Sequence, residues 1–495
     1  MSARRISPIS WIVLASTAAS LLLAVTVPLL DPDEGRNAEI AREMAVSGDL
    51  IVPRLAGMPY LDKPPGFFWP AALAIRLLGP IPFAARLPSI LAAIATLLVL
   101  AQLARRHAGE PFAIRAIALL AVAPLFVGLA AYVIFDMALA LCVTLVWTSL
   151  ARELETVEGA VRPRASRGLR LVMFAATTAG ILVKGPVMLA WSIGGSVAAA
   201  LILRSRDPLR WLGWWPGWLL LLAIAGGWFA LATARHPEYP RYAFLEESFE
   251  RLTSGAFKRE QPLWFVPAVL IGGAFPWSLT TPWQLLRRLR LESPPGTLST
   301  ARRTARVALG FVLFAVVFFS LSRSKLVTYL LPAFPPLAWL AGAAWSHALA
   351  ESGSGRRRWF FASLAVPILM IAAAAPALVA HARKASGAPL AEAIRKSAPD
   401  TQVRYEHCYS PGTDYLLGRP STLVSERGHE IRSTYQIRYR QTLIARGHWT
   451  PRDTIPQASG DDVVVRRARD EREIPRGYVE FFRDPRFAAF RKRGG

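Results

Sequence analysis

The sequence predicts an all-α polytopic membrane domain followed by a small α/β soluble domain. Three observations predict it. Apolar stretches of roughly 20 residues recur as far as residue 381, each long enough for a bilayer core of roughly 30 Å. Arginine clusters fall in alternate loops between those stretches. Beyond residue 381 the chain turns polar and charged and holds no further candidate span. Residues 1–381 are therefore expected to form the membrane domain and residues 382–495 a soluble one. The chain as a whole is 53% apolar and 19% charged, short of the roughly one quarter charged that is usual for soluble domains.

The apolar runs fall near 10–30, 84–104, 112–131, 132–151, 168–183, 185–203, 211–233, 263–286, 304–321, 326–348 and 359–381, which makes about eleven spans. They must be helical, since isolated strands leave backbone groups unsatisfied in lipid. The first run follows Arg4 and Arg5 and shows no small-residue cleavage site, so a retained helix is expected. The shorter run 66–79 carries Arg76 and is expected to lie in the interface. With that reading and a cytoplasmic N-terminus, the inside segments hold Arg4-Arg5, Arg105-Arg106, Arg162 to Arg170, Arg204 to Arg206, Arg287 to Arg306 and Arg356 to Arg358. The first outside loop, 31–63, holds seven acids against four bases, and the outside loop 234–262 balances five against five. Counting 66–79 as a span would put most arginine clusters outside, against the positive-inside trend. The topology therefore leaves residues 382–495 outside the cytoplasm.

A net charge of +24 raises the question of nucleic acid. The basic residues cluster in short loops between apolar runs and form no single stripe, so nucleic-acid binding is excluded. The two cysteines, Cys142 within a span and Cys408 in the tail, give neither metal spacing nor an intrachain disulfide.

Once the inside clusters are set aside, the remaining charged residues gather at the outer ends of spans. Loop one carries Asp31, Asp33, Glu34, Arg36, Glu39, Arg42 and Glu43 and ends on Asp62-Lys63-Pro64-Pro65. Asp136, Lys184 with Gly185-Pro186, and Arg323 with Lys325 sit at span junctions, and Glu247, Glu250 and Arg251 lie in 234–262. Each has a plain structural reading. Loop one is also what an interfacial helix with its own ion pairs looks like, and Asp62-Lys63 suits a turn closed by two prolines. Asp136 suits a helix N-terminus, Lys184 a snorkelling side chain, and Arg323 and Lys325 boundary anchors. The functional reading rests on convergence: five separate segments place ionisable groups on one face, where they are expensive unless paired or in a wet cavity. Acids beside Lys63, Lys184, Arg251, Arg323 and Lys325 offer a carboxylate base and a cationic cradle. That cradle suits a phosphate or diphosphate leaving group, and the base suits deprotonation of an acceptor hydroxyl attacking an anomeric carbon. The apolar spans offer a groove for a lipid tail. Together these features point to group transfer from a lipid-linked phosphate donor.

The run Asp33-Glu34-Gly35-Arg36-Asn37-Ala38-Glu39-Ile40-Ala41-Arg42-Glu43-Met44, then Ser47-Gly48-Asp49 and Tyr60-Leu61-Asp62-Lys63-Pro64-Pro65, resembles the first outer loop of bacterial GT-C glycosyltransferases. The resemblance is to the lipid A aminoarabinose transferases and the wider protein O-mannosyltransferase-like group. Asp136-Met137, Val183-Lys184-Gly185 and Ser324-Lys325-Leu326-Val327-Thr328-Tyr329-Leu330-Leu331-Pro332 extend it over about 300 residues. It implies the GT-C fold, with interfacial helices in the first outer loop. It also implies an inverting transferase on the periplasmic side of a bacterial inner membrane, taking a sugar from a polyprenyl phosphate such as undecaprenyl phosphate. The acceptor it implies is lipid A, another glycolipid or a protein. Asp33 would be the catalytic base, with Glu34 a second catalytic acid and Arg36 in the same pocket, on the donor phosphate. Lys63 would hold the donor phosphate beside Tyr60 and Asp62, with Asp136, Lys184, Lys325 and Tyr329 lining the cavity and Arg251 as the basic position of the long outer loop.

One departure bears on metal. Aminoarabinose transferases carry a Glu-His pair in that loop, whereas this chain reads Glu247-Ser248, with His236 the nearest histidine. Glu247 then lines the cavity, and Asp62 offers one oxygen ligand with no imidazole partner, so no cofactor is expected to be required, with a divalent metal as the alternative. In the tail, alternation over Thr434 to Tyr439 and Asp462 to Val465 predicts strands, and Pro389 to Ser397 a helix. An alternative of another class is a non-enzymatic carrier or flippase of polyprenyl-linked sugars. Such a carrier would show internal repeats and midplane polar groups, and the sequence has neither.

Overall fold

The computed structural model describes residues 7–155, 166–250, 260–279, 300–350, 354–452 and 462–493. Along the chain come α1 (Pro8–Thr26), α2 (Asp33–Ser47), the hairpin β1 (Arg54–Leu55) and β2 (Met58–Pro59), and α3 (Phe68–Leu78). Then follow α4 (Pro82–Ala108), α5 (Glu110–Ala121), α6 (Pro124–Ala130), α7 (Phe135–Glu153) and α8 (Arg167–Lys184). Two compact units emerge: residues 1–22 with 88–374, and residues 23–87 with 375–495.

The first unit is helical and apolar. Among the described residues seven helices are long and apolar enough to cross a membrane: α1, α4, α7, Trp215–Arg235, Thr300–Leu321, Val327–Ala350 and Gly355–Ala385. The pair α5 and α6, bent by 69°, makes an eighth if it is one span. Of the other expected runs, 168–183 falls on α8, which carries Arg167, Arg170 and Lys184 within its 18 residues. The run 185–203 falls on the shorter apolar helix Val187–Leu203. Residues 263–286 begin with the helix Phe265–Gly273, and 280–286 lie outside the described residues. The run 66–79 folds as Pro65–Leu78, too short for a span, as its Arg76 implied.

Large aromatics fill the core of this unit. Trp339 sits 4.7 Å from Phe112 and 6.1 Å from Trp147, ring centre to ring centre, in tilted and edge-on contacts. Elsewhere backbones approach closely. A Cβ on Gly310 would fall 2.6 Å from the backbone nitrogen of Ala199, so the helix Thr300–Leu321 meets its neighbour through a residue with no side chain.

The second unit is built from both ends of the chain. A five-stranded sheet runs in the order β4 (Thr422–Val424), β3 (Val403–Glu406), β5 (Val463–Arg467), β7 (Phe487–Lys492) and β6 (Tyr478–Arg483). β3 pairs in parallel with β4 and β5, and β7 pairs antiparallel with β5 and β6. The expected strand at Val463 and helix at Ala388–Ser397 are present. The expected strand over Thr434 to Tyr439 is not: Thr434–Arg438 is a helix. Its alternation was misleading because Tyr435 and Tyr439 stack at helical spacing, 5.3 Å apart, and Ser433 Oγ caps the Gln436 N–H. The tail then holds loop one in place. Gln436 Nε2 donates to the carbonyls of Leu55, Met58 and Pro59, and Thr450 Oγ1 to that of Ala56. Those bonds secure a two-residue hairpin turn in which Ala56 and Gly57 both have positive φ, 54° and 75°.

Candidate active site

The acids of α2 have sharply different surroundings. Asp33, in the first turn, keeps 63% of its side-chain surface and accepts a hydrogen bond from Arg36 Nη2 at 2.8 Å. A carboxylate there is favoured by the helix dipole, one i,i+3 arginine orients it, and solvent reaches it. Arg36 itself is mostly covered. Burial pulls its guanidinium down, but Tyr60, Asp33 and Asp62 together outweigh that and hold it above its ordinary value. The same electrostatics gather Asp33, Arg36, Tyr60 and Asp62 into one local constellation. Tyr60 is buried, its ring edge-on to Phe68 at 6.3 Å. Lys63 follows Asp62 half-buried, just before the prolines that open α3.

Glu34 departs from the expectation of a reacting carboxylate. It is fully buried, with Oε1 accepting from Arg86 Nε at 2.9 Å and Oε2 from Arg86 Nη2 at 2.7 Å. Oε2 also accepts the Leu30 N–H. Arg86 Nη1 donates in turn to the carbonyls of Val27 and Ala24, and Nη2 to that of Pro28, at the C-terminal end of α1. One guanidinium therefore closes the last turn of α1 and neutralises the acid that begins α2. Both Glu34 oxygens are engaged, which leaves Asp33 as the open acid of that pair. The sequence signal for Arg86 was its place inside the apolar run 84–104, where an ionisable residue calls for a partner.

Further along α2, Glu39 and Arg42 form a buried bidentate pair at 2.6 and 2.7 Å. Burial raises Glu39 and Glu43 above the usual carboxylate range, against the pull of Arg42. In the tail, burial pushes Asp414 up to about 7, opposed by its bond from Ser421 Oγ and by Arg42. Asp31 is raised by burial too, although Arg486, Ser410 and Gly412 all bond to it. A Cβ on Gly35 would meet Asp31 Oδ1 at 2.0 Å and the Gly412 nitrogen at 2.7 Å, so the glycine is what lets these segments close. Asp62 has a structural contact as well as a place beside Arg36. Its Oδ1 accepts from Tyr435 N at 2.8 Å and its Oδ2 from Thr434 N at 3.2 Å, capping the helix that the sequence read as a strand.

The first unit holds a second constellation. Asp136, in the first turn of α7, pairs with Lys184 at the end of α8, and both are nearly buried. Lys184 Nζ lies 4.4 Å above the ring of Tyr329, a cation–π contact that fixes the ammonium. Lys325 is buried and donates to the Gln261 carbonyl at 2.7 Å, while Arg323 faces Glu260 at 3.8 Å in the open. Glu247 is half-buried at the end of the segment Tyr242–Phe249. Arg251 lies outside the described residues. His236 is buried with Nδ1 3.6 Å from Glu238 Oε1. Among the described residues no three His, Cys, Asp or Glu side chains converge as metal ligands.

With this geometry in hand, comparison with known proteins is direct. Residues 62–229 match the family model described as dolichyl-phosphate-mannose-protein mannosyltransferase. The undecaprenyl phosphate-alpha-4-amino-4-deoxy-L-arabinose arabinosyl transferase of Edwardsiella ictaluri is 30% identical over 338 residues, 66% of this chain and 58% of that protein. The protein of the same name from Pseudomonas aeruginosa is 33% identical over 319 residues, 63% of this chain and 55% of that one. The chain thus spans little more than half the length of these curated relatives. Crystallised ArnT from Cupriavidus metallidurans bound to undecaprenyl phosphate superposes with a TM-score of 0.77 at 23% identity, over 98% of this chain and 97% of that one. The fold is that of a GT-C glycosyltransferase. The resemblance read from the loop motifs therefore holds in both sequence and fold. Its apolar helices and these relatives make this GT-C chain a multi-pass inner membrane protein.

Proposed function

We propose that the chain is an inverting glycosyltransferase that moves a sugar from a polyprenyl-phosphate donor to a cell-envelope acceptor. The acceptor is lipid A, another glycolipid or a protein, at a hydroxyl or a phosphate. The observation that carries the reading is Asp33, an exposed carboxylate at a helix N-terminus, held by Arg36. For a hydroxyl acceptor, Asp33 takes the proton as the acceptor oxygen bonds to the anomeric carbon. The bond from that carbon to the donor phosphate breaks on the opposite side, and polyprenyl phosphate leaves. The leaving group gains charge as it departs, and Lys63, Lys184, Lys325 and Arg251 are the cations assigned to hold it. Glu34 positions the segment through Arg86. The names of the relatives support the donor class, since those proteins are arabinosyl transferases of an undecaprenyl phosphate sugar.

The test is mass spectrometry of envelope glycolipids and proteins from cells with and without the gene. A sugar-sized mass present only with the gene names sugar and acceptor together; identical profiles would remove the transferase reading.

The active face and residues 382–495 are assigned to the extracytoplasmic side, on the strength of the arginine-rich inside loops. A membrane-impermeant thiol reagent applied to intact cells would then label Glu426→Cys and spare Arg357→Cys; both positions are exposed, and the native cysteines are buried. The opposite labelling pattern would invert the topology.

A further inference from the structure

A cavity of about 540 Å³ opens within the second unit, and its walls are unusually basic. Arg36, Arg432, Arg467, Arg469 and Arg486 line it. Its two acids, Asp31 and Glu430, are already bonded. Asp31 accepts from Ser410 Oγ, the Gly412 N–H and Arg486 Nη2, and Glu430 accepts from Ser425 Oγ. Arg36 is already paired with Asp33 and Arg486 with Asp31, which leaves Arg432, Arg467 and Arg469 as the cations of the wall without a bonded acid among the described residues. Two of the five also hold donors that the protein leaves unmatched: Arg36 Nε and Arg486 Nη1 are buried without a hydrogen-bond partner among the described residues. Buried donors of this kind normally have one. Arg432, Arg467 and Arg469 are exposed and have no carboxylate within ion-pair distance among the described residues.

Two features aim these groups. The Arg486 guanidinium packs on the Phe487 ring, 4.8 Å from its centre, while Nη2 is held by Asp31 at 3.2 Å. Nη1 of the same fork is then fixed in direction, with its ordering already accomplished by the fold. Arg432 has φ of 58°, a left-handed backbone that a branched-off side chain rarely adopts and that recurs at ligand clamps. Several planar forks converging from different segments match the several oxygens of a phosphate better than the two of a carboxylate. The cavity is larger than a bare phosphate needs, so it has room for the body that carries one.

We infer that this arginine-lined cavity is a binding site for a phosphate monoester, bordering the active-site pocket at Arg36 but distinct from the position of Lys63 assigned to the donor phosphate. The inference stands whether or not the chain transfers a sugar, because it concerns binding alone. The phosphate arrives either free in solution or on a lipid headgroup, and the two sources are separable. Purified full-length protein in detergent is titrated with inorganic phosphate against chloride at equal ionic strength, with apparent Tm and heat as readouts. The same protein in phosphatidylcholine nanodiscs is compared with and without phosphatidic acid. Wild type is expected to show saturable stabilisation by phosphate in at least one arm. The double variant R467Q/R469Q, altered only at exposed positions, is expected to weaken it at least tenfold, and Arg486→Gln further still. Stabilisation by inorganic phosphate assigns a soluble ligand, and stabilisation by phosphatidic acid alone assigns a lipid headgroup. Equal responses to phosphate and chloride with no response to phosphatidic acid, or binding unchanged in the double variant, would overturn the site.

Discussion

Asp33→Asn is expected to abolish sugar transfer while leaving the protein folded. The amide keeps the shape of the carboxylate and removes its capacity to take a proton, and a positioned general base contributes about 10²- to 10⁴-fold to rate. Stability should scarcely move, since the side chain is 63% exposed and substitutions at such places stay within about 0.5 kcal/mol. The loss should appear in kcat with purified protein and a polyprenyl-phosphate sugar, with donor KM little changed. Transfer at the wild-type rate would remove Asp33 as the base. A large loss of Tm would mean that the residue acts through structure instead.

Arg86→Ala should have the reverse profile. It leaves Glu34 buried without its cation and frees the carbonyls at the end of α1. Breaking one side of a buried pair costs about 3–5 kcal/mol. Arg86→Lys should recover little, because an ammonium cannot bridge two carboxylate oxygens and the three carbonyls of Ala24, Val27 and Pro28 as a planar fork does. The diagnostic variant is the double change Glu34→Gln with Arg86→Met, which removes both charges and should restore part of the stability lost by either alone. Thermal unfolding of the four proteins in one detergent decides the matter. An apparent Tm for Arg86→Ala within a degree or two of wild type would show that the pair does not hold loop one.

These two variants also show what the sequence revealed and what it did not. Loop one was legible because its polar residues are contiguous and stand directly after an apolar run, where charge needs a reason. Asp136 and Lys184, 48 residues apart, were each conspicuous at a span end, although their pairing was not readable before the fold brought them together. Glu34 was read as the twin of Asp33 because the two are adjacent. Helical geometry turns neighbours about 100° apart, so one faces solvent and the other faces Arg86. The tail was hardest. Thr434 to Tyr439 alternates as a strand would, but a cap from Asp62, 372 residues earlier, satisfies the N–H groups of a helix there. The same distance hid the bonds from Ser410, Gly412 and Arg486 to Asp31. No local pattern encodes a partner so far along the chain.

The way the tail grips loop one has a consequence for exchanging parts between relatives. Asp31, Leu55, Ala56, Met58, Pro59, Asp62 and Ile81 all bond to residues beyond 400. A graft of residues 382–495 alone would therefore break a set of matched contacts and disturb the turn that leads to Asp62-Lys63. The piece that transplants intact is discontinuous, residues 23–87 together with the tail.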